Sequence, residues 1–193
     1  MVDEEEIKNG SNNVPHHWFR KRQLPVILAA GRLSRVRGFD VLIDAFGKIN
    51  SKIDARLIIL GEGPLRKTLE NQVKNLGLTE KVLMPGMVNN VYDYMHHASV
   101  FVLSSRWEVL PTVLIEAMAC RCPVLSTDCP SGPAEILENG KYGELVPVGN
   151  PSLLAEAIMK TLSKKTDKEM LKSRAMDFSV KNSVEKYVEV LKL

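Results

Sequence analysis

No apolar run in this 193-residue chain approaches the roughly 18 residues that a membrane-crossing helix needs. Its first residues, MVDEEEIKNG, are the wrong chemistry for a signal peptide, and a soluble, cytosolic domain is expected. Cysteine is scarce: Cys120, Cys122 and Cys129 are an odd count with no CxxC pair and no nearby histidine, which argues against a disulfide framework and a zinc site and predicts reduced, packed thiols. No Asp-x-Asp occurs, and no carboxylate cluster suggests a divalent ion, so neither a metal nor another cofactor is expected. The loop GRLSRVRG lacks the middle glycine of the dinucleotide fingerprint, and Gly61-Glu-Gly63-Pro64 is a turn signal, which disfavours a nicotinamide enzyme. Lys and Arg are dispersed and the formal charge is only +3, so no nucleic-acid tract is present. Internal repeats and low-complexity tracts are absent too. His16 and His17 read as linker residues. His96 and His97 close a short helix, where exposure or a contact with the helix C-terminus accounts for them.

What remains is a balanced composition, 45% hydrophobic and 25% charged, sufficient for one compact domain with a core. From Pro25 onward, apolar strands alternate with helix-patterned segments, which predicts an α/β fold with a parallel sheet and helices on both faces. Strands are expected at Val26 to Ala30, Arg56 to Leu60, Lys81 to Met84, Ser99 to Leu103, Pro123 to Ser126 and Glu144 to Val146. Helices should begin near Gly38, Pro64, Val91, Pro111, Gly132 and Pro151. Open parallel sheets bind ligands beyond the carboxyl ends of their strands, so the loops after Ala30, Leu60, Leu103 and Ser126 are the candidate site. After Pro151 the pattern is wholly helical and ends in an amphipathic stretch near Val180 to Leu191. Residues 1–22, acidic at Asp3 to Glu6 and basic at Arg20 to Arg22, read as a linker.

Two of those loops carry chemistry. Glu108 and Glu116 enclose seven residues at the junction of a strand and a helix whose first position is Pro111. A continuous helix turns roughly 80° past two revolutions over eight residues, so the two acids cannot form one carboxylate pair. They bracket a helix N-terminus, where the unpaired amides of Thr112 and Val113 make an anion site and Glu116 can accept from hydroxyls. A phosphate flanked by sugars fits. The first strand empties into Gly31-Arg-Leu-Ser-Arg-Val-Arg-Gly38, placing Arg32, Arg35 and Arg37 where a diphosphate could be held; the plainer alternative is a solvated basic loop. The loop Ser126 to Pro133 can lay amides beside a ligand or be a simple connection capped by Ser131. Trp107 is either a stacking surface or packing.

The segments GRLSRVRGFDVLIDAF, LIILGEGPLR, Met87 to Ser105, EVLPTVLIEAMAC and CPVLSTDCPSGPAEIL, in this order and spacing, resemble the donor-binding half of a group 1 retaining glycosyltransferase of the GT-B architecture, family 4-like. The resemblance implies a Rossmann-like sheet forming one half of a GT-B fold. It also implies that Arg32 and Arg37 beside Gly31 grip the donor diphosphate, that Glu108 faces the transferred sugar, that amides around Leu110, Pro111, Thr112 and Val113 cradle the phosphates, and that Glu116 holds the ribose. Three positions depart from the family's habit: Arg37 stands where Lys is usual, and Val109 and Arg121 stand where Gly is usual. A β-branched residue is ill suited to positive φ, so Val109 is expected to disturb the phosphate loop. By the same resemblance residues 1–22 lead into the domain, residues 23–165 bind the nucleotide-sugar, and residues 166–193 brace an acceptor-binding N-terminal domain missing from this chain. The expected activity is metal-independent, retaining transfer of a hexosyl unit from a nucleoside diphosphate, UDP foremost, to a hydroxyl acceptor in polysaccharide or glycoconjugate synthesis, the isolated domain binding but not transferring efficiently. The full enzyme would be cytoplasmic and associate peripherally with a membrane through its acceptor. Rival readings are a degenerate binding or regulatory module and a GT-B phosphorylase or epimerase.

Overall fold

The computed structural model describes Ile7, residues 14–20 and residues 24–191. The acidic run Asp3 to Glu6 and the basic pair Lys21 and Arg22 lie outside the described residues. Six strands form the sheet: β1 (Val26–Ala30), β2 (Arg56–Leu60), β3 (Val82–Gly86), β4 (Val100–Leu103), β5 (Val124–Thr127) and β6 (Glu144–Val146). The helices are α1 (Phe39–Asn50), α2 (Arg66–Asn75), α3 (Val91–His97), α4 (Thr112–Ala119), α5 (Pro133–Ile136), α6 (Pro151–Ser163), α7 (Lys168–Met176) and α8 (Val180–Leu191). All pairings are parallel, in the order β3-β2-β1-β4-β5-β6. This is the parallel sheet with helices on both faces that the alternating pattern predicts, and it matches the Rossmann-like half of a GT-B fold that the resemblance implies.

Side chains alternate across each strand, so one apolar run serves two cores. Ile27, Ala29, Leu57, Ile59, Val100 and Val102 face α1, α2 and α6. Val26, Leu28, Ile58, Leu60, Phe101 and Leu103 face α3, α4 and α7. Full burial of each large aliphatic side chain contributes about 1.5–3 kcal/mol. These two layers, rather than helix propensity, hold the helices in place.

Several boundaries differ from expectation for identifiable reasons. Strand β3 starts one residue late and continues through Pro85 to Gly86, which an edge strand tolerates because proline's missing donor would face solvent. Pro111 is the N-cap of α4 rather than its first residue, since its ψ of 84° is not yet helical. The short helix α5 has Gly132 at its N-cap, so Ser131 does not cap it; the Ser131 hydroxyl donates instead to the Val109 carbonyl at 3.3 Å. Part of the expected linker is docked: His17–Phe19 make a 3₁₀ turn whose N-cap, His16, accepts through Nδ1 from the Trp18 amide, and Phe19 is buried edge-on to Tyr94. His97 Nδ1 meets the Asp93 carbonyl at 2.8 Å and His96 Nε2 the Ile7 carbonyl at 2.9 Å, so both are structural contacts.

Val109 does not take the positive φ that a glycine would favour. Apart from glycines, the described residues with positive φ are Arg121, Glu138 and Asn139, and Val109 is not among them. The strain falls on the other departure: Arg121 follows α4 at φ 59°, a conformation that favours glycine. Its guanidinium reaches Glu169 of α7 at 2.7 and 3.2 Å, so the side chain tethers two helices where glycine could not.

Candidate functional site

Strand order reverses between β1 and β4, and the crevice at such a reversal is where open parallel sheets take ligands. Two loops meet there. The loop after β1 contains a 3₁₀ turn, Arg35–Arg37, and closes at Gly38, left-handed at φ 63°, which is also the N-cap of α1. A Cβ on Gly38 would lie 2.1 Å from the Ser104 carbonyl oxygen, so the two backbones touch only because glycine is there. Similarly, a Cβ on Gly61 would lie 2.0 Å from the Gly31 carbonyl oxygen, fixing the loop after β2 against the loop after β1.

The loop after β4 straps this arrangement. Ser104 Oγ donates to the Arg37 carbonyl at 2.9 Å, and the Arg106 amide donates to the Val36 carbonyl at 2.7 Å. The Arg106 guanidinium forks onto Asp40 at 2.8 and 2.7 Å and reaches the Arg35 carbonyl at 2.8 Å. None of Ser104, Arg106 and Asp40 was singled out in the sequence. The Arg106 hydrogen bond holds the Asp40 carboxyl below its ordinary range. A depressed carboxyl stabilises the fold fully above its unfolded pKa of about 4, and that contribution is lost as pH falls through the lower folded value. Asp40→Asn should therefore lower stability at pH 7 by under about 1 kcal/mol, because the pair is half exposed, and flatten the acid limb below pH 4. Urea unfolding of both proteins at pH 7 and pH 3 checks this.

Inside the strap, Arg37 Nη1 donates to Glu108 Oε1. Glu108 is 7% exposed, and its Oε1 also accepts from Ser105 Oγ at 2.6 Å. Gly31, Arg37, Glu108, Leu110, Pro111, Thr112 and Val113 line one cavity of about 280 Å³. Arg32 is exposed and lines a neighbouring cavity of about 590 Å³, with Gly31, Gly61, Glu62, Met87 and Val88. Gly31 and Val91 border both cavities. The two arginines expected to grip one diphosphate thus stand in adjoining compartments.

At the head of α4, the Thr112 amide is not unpaired as expected, since it donates to the Leu110 carbonyl at 2.9 Å. The Val113 amide has no hydrogen-bond partner among the described residues. Glu116 lines neither cavity. It lies one turn into α4, where burial pushes its carboxyl above the usual carboxylate range against a hydrogen bond from the Thr112 side chain. Trp107 is 56% exposed, so it is not packing. Burial holds Cys120 at about 12 and raises Cys122 and Cys129 as well, leaving three inert thiols. Among the described residues, no group of three or more His, Cys, Asp or Glu is placed to hold a metal, and no helix is long and apolar enough to cross a membrane.

A family model described as Glycosyl transferases group 1 matches residues 14–178, and the chain belongs to that family. The Campylobacter jejuni N-acetylgalactosamine-N,N'-diacetylbacillosaminyl-diphospho-undecaprenol 4-alpha-N-acetylgalactosaminyltransferase is 38% identical over 156 residues, 79% of this chain and 42% of that protein. The Bacillus anthracis N-acetyl-alpha-D-glucosaminyl L-malate synthase is 31% identical over 137 residues, 71% of this chain and 36% of that protein. The chain thus spans about two fifths of the length of these curated relatives. Among solved structures, Anabaena HepE in complex with UDP and glucose superposes with a TM-score of 0.78 at 23% identity, over 99% of this chain and 53% of HepE. A glycosyltransferase from Rickettsia africae gives 0.81 at 21% identity, over 99% of this chain and 56% of that one. At these identities the structural likeness speaks to the fold.

Proposed function

We propose that the chain is the C-terminal, nucleotide-sugar-binding half of a retaining, metal-independent glycosyltransferase of the GT-B, family 4-like kind. The observation that carries this reading is the meeting of Arg37, Glu108 and the open Val113 amide in one cavity at the reversal of strand order. The leaving group is a diphosphate, UDP foremost. Arg37 spends only Nη1 on Glu108, so its remaining donors can face a phosphate beside the helix amide, while Arg32 approaches from the adjoining compartment. Glu108 orients the sugar, and the acceptor hydroxyl enters on the face that the diphosphate vacates, which retains configuration. The Campylobacter relative is named for transfer to a diphospho-undecaprenol-linked sugar; a membrane-borne acceptor at the cytoplasmic face is proposed here by that likeness.

Residues 23–165 are the binding unit in this reading. Helix α7 buries Leu171 and Ala175 in the domain's own core, whereas α8 exposes Val180, Val184, Val188 and Leu191 at helical spacing along one side. The bracing of an N-terminal acceptor domain therefore falls to α8. Without that domain the chain should bind nucleotide and show no acceptor-dependent turnover. Calorimetric titration with UDP, GDP, ADP and their sugar derivatives tests the reading: one nucleotide binds saturably, and Glu116→Ala weakens it by about 1–3 kcal/mol through lost hydrogen bonds to the ribose. Unchanged affinity in Glu116→Ala removes that role. No binding by a folded sample points to a degenerate module.

A further inference from the structure

The Arg37–Glu108 pair leaves unanswered how Glu108 keeps one orientation, since the terminal torsion of a glutamate is broad and two-fold. Both contacts found on Glu108 fall on Oε1, one from Arg37 Nη1 and one from Ser105 Oγ at 2.6 Å. Oε2 has no hydrogen bond from the described protein, yet it is not a sealed-off polar atom, and Glu108 lines the 280 Å³ cavity. Ser105 is itself held in place by the protein. It is fully buried, its carbonyl accepts from Thr127 Oγ1 at 2.5 Å, and Thr127 is buried at the end of β5. Glu108 is also pinned through its backbone, its amide donating to the Pro130 carbonyl and its carbonyl accepting from the Ser131 amide, both at 2.9 Å. The loops after β1 and β4 thereby converge on one carboxylate oxygen, and the end of β5 holds the Ser105 carbonyl behind it.

We propose that Ser105, seated by Thr127, is a positioning residue that commits Oε1 of Glu108 to the protein and presents Oε2 as the single acceptor for a hydroxyl of the transferred sugar. A short hydroxyl-to-carboxylate hydrogen bond is charge-assisted and directional, so it selects which oxygen turns outward in a way that Arg37 alone, partly exposed and extended from another loop, does not. The inference rests on the nucleotide-sugar reading and adds to it a residue that does not line the cavity. Its signature is a loss confined to the sugar. The readout is the ratio of affinities for UDP-glucose or UDP-N-acetylglucosamine over UDP, measured calorimetrically on this chain. Ser105→Ala should lower the ratio for the preferred sugar on the order of tenfold, with UDP affinity held within about twofold. Thr127→Val should act in the same direction and Thr127→Ser should keep the wild-type ratio; these two carry the test if Ser105→Ala fails to unfold cooperatively. An unchanged ratio in both Ser105→Ala and Thr127→Val overturns the proposal, as does a parallel fall in UDP and UDP-sugar affinity, which marks a purely structural serine. Silence of the wild type toward every probe overturns the nucleotide-sugar reading itself and this inference with it.

Discussion

Gly38→Ala should destabilise the domain by about 2–5 kcal/mol, the sum of roughly 1–2 kcal/mol for a side chain in left-handed backbone and 1–3 kcal/mol for overpacking. The second contribution is large because the obstacle is backbone: the new Cβ would meet the Ser104 carbonyl oxygen at 2.1 Å, and that carbonyl belongs to the loop that straps the site. Against a typical total of about 5–15 kcal/mol, such a loss is severe. Gly77→Ala is the matched control, since Gly77 has φ 68° with nothing within 4 Å of the added atom, so it carries strain without a clash. Urea unfolding followed by circular dichroism should show Gly38→Ala the weaker of the two by more than about 1 kcal/mol. Equal losses would mean that the two loops separate easily, and the strap would not be rigid.

Arg37→Leu should cost about 2–4 kcal/mol of stability, because it strands the buried Glu108 carboxylate with Ser105 as its remaining side-chain donor. That figure is kept below the range for fully buried pairs because the Arg37 side chain is 29% exposed. The double variant Arg37→Leu/Glu108→Gln removes the uncompensated charge and should recover most of the stability. It should not recover nucleoside diphosphate binding, which falls about ten- to hundredfold in both variants with the loss of charged hydrogen bonds to phosphate. The two readouts separate because one depends on the pair's mutual neutralisation and the other on the guanidinium alone. If the double variant binds UDP as the wild type does, Arg37 does not hold phosphate.

The strands were readable because each is a short, continuous apolar run between turn formers, and burial on both faces leaves no other place for Ile27 to Ala30 or Leu57 to Leu60. The site loops followed from the rule that ligands lie beyond strand ends. What stayed hidden has a common cause. Arg106 and Asp40 are 66 residues apart, and Arg37 and Glu108 are 71 apart, so their pairing depends on the juxtaposition of β1 and β4 rather than on any local pattern. Arg37 and Glu108 were each singled out as facing ligand, yet nothing in either segment showed that they face each other. Val109 and Arg121 show the limit of reading backbone from residue type. Both replace an expected glycine, and only Arg121 adopts the left-handed conformation, at a helix end where its own amide and that of Cys122 close onto the Met118 and Ala117 carbonyls.

The borders of the sheet bear on how this domain can be handled. One border is β3, whose ladder to β2 shifts register between Ile58 and Leu60 and whose Pro85 offers no amide to a newcomer. The other is β6, three residues long, with Glu144 held by Lys160 at 2.9 Å and Lys164 at 2.8 Å. A proline-broken border and a short, charged one are poor templates for strand addition by another molecule. Concentrated solutions of the domain should accordingly resist fibril growth at the sheet's edges, and grafting it onto a foreign acceptor domain need not reckon with β-addition as a competing fate.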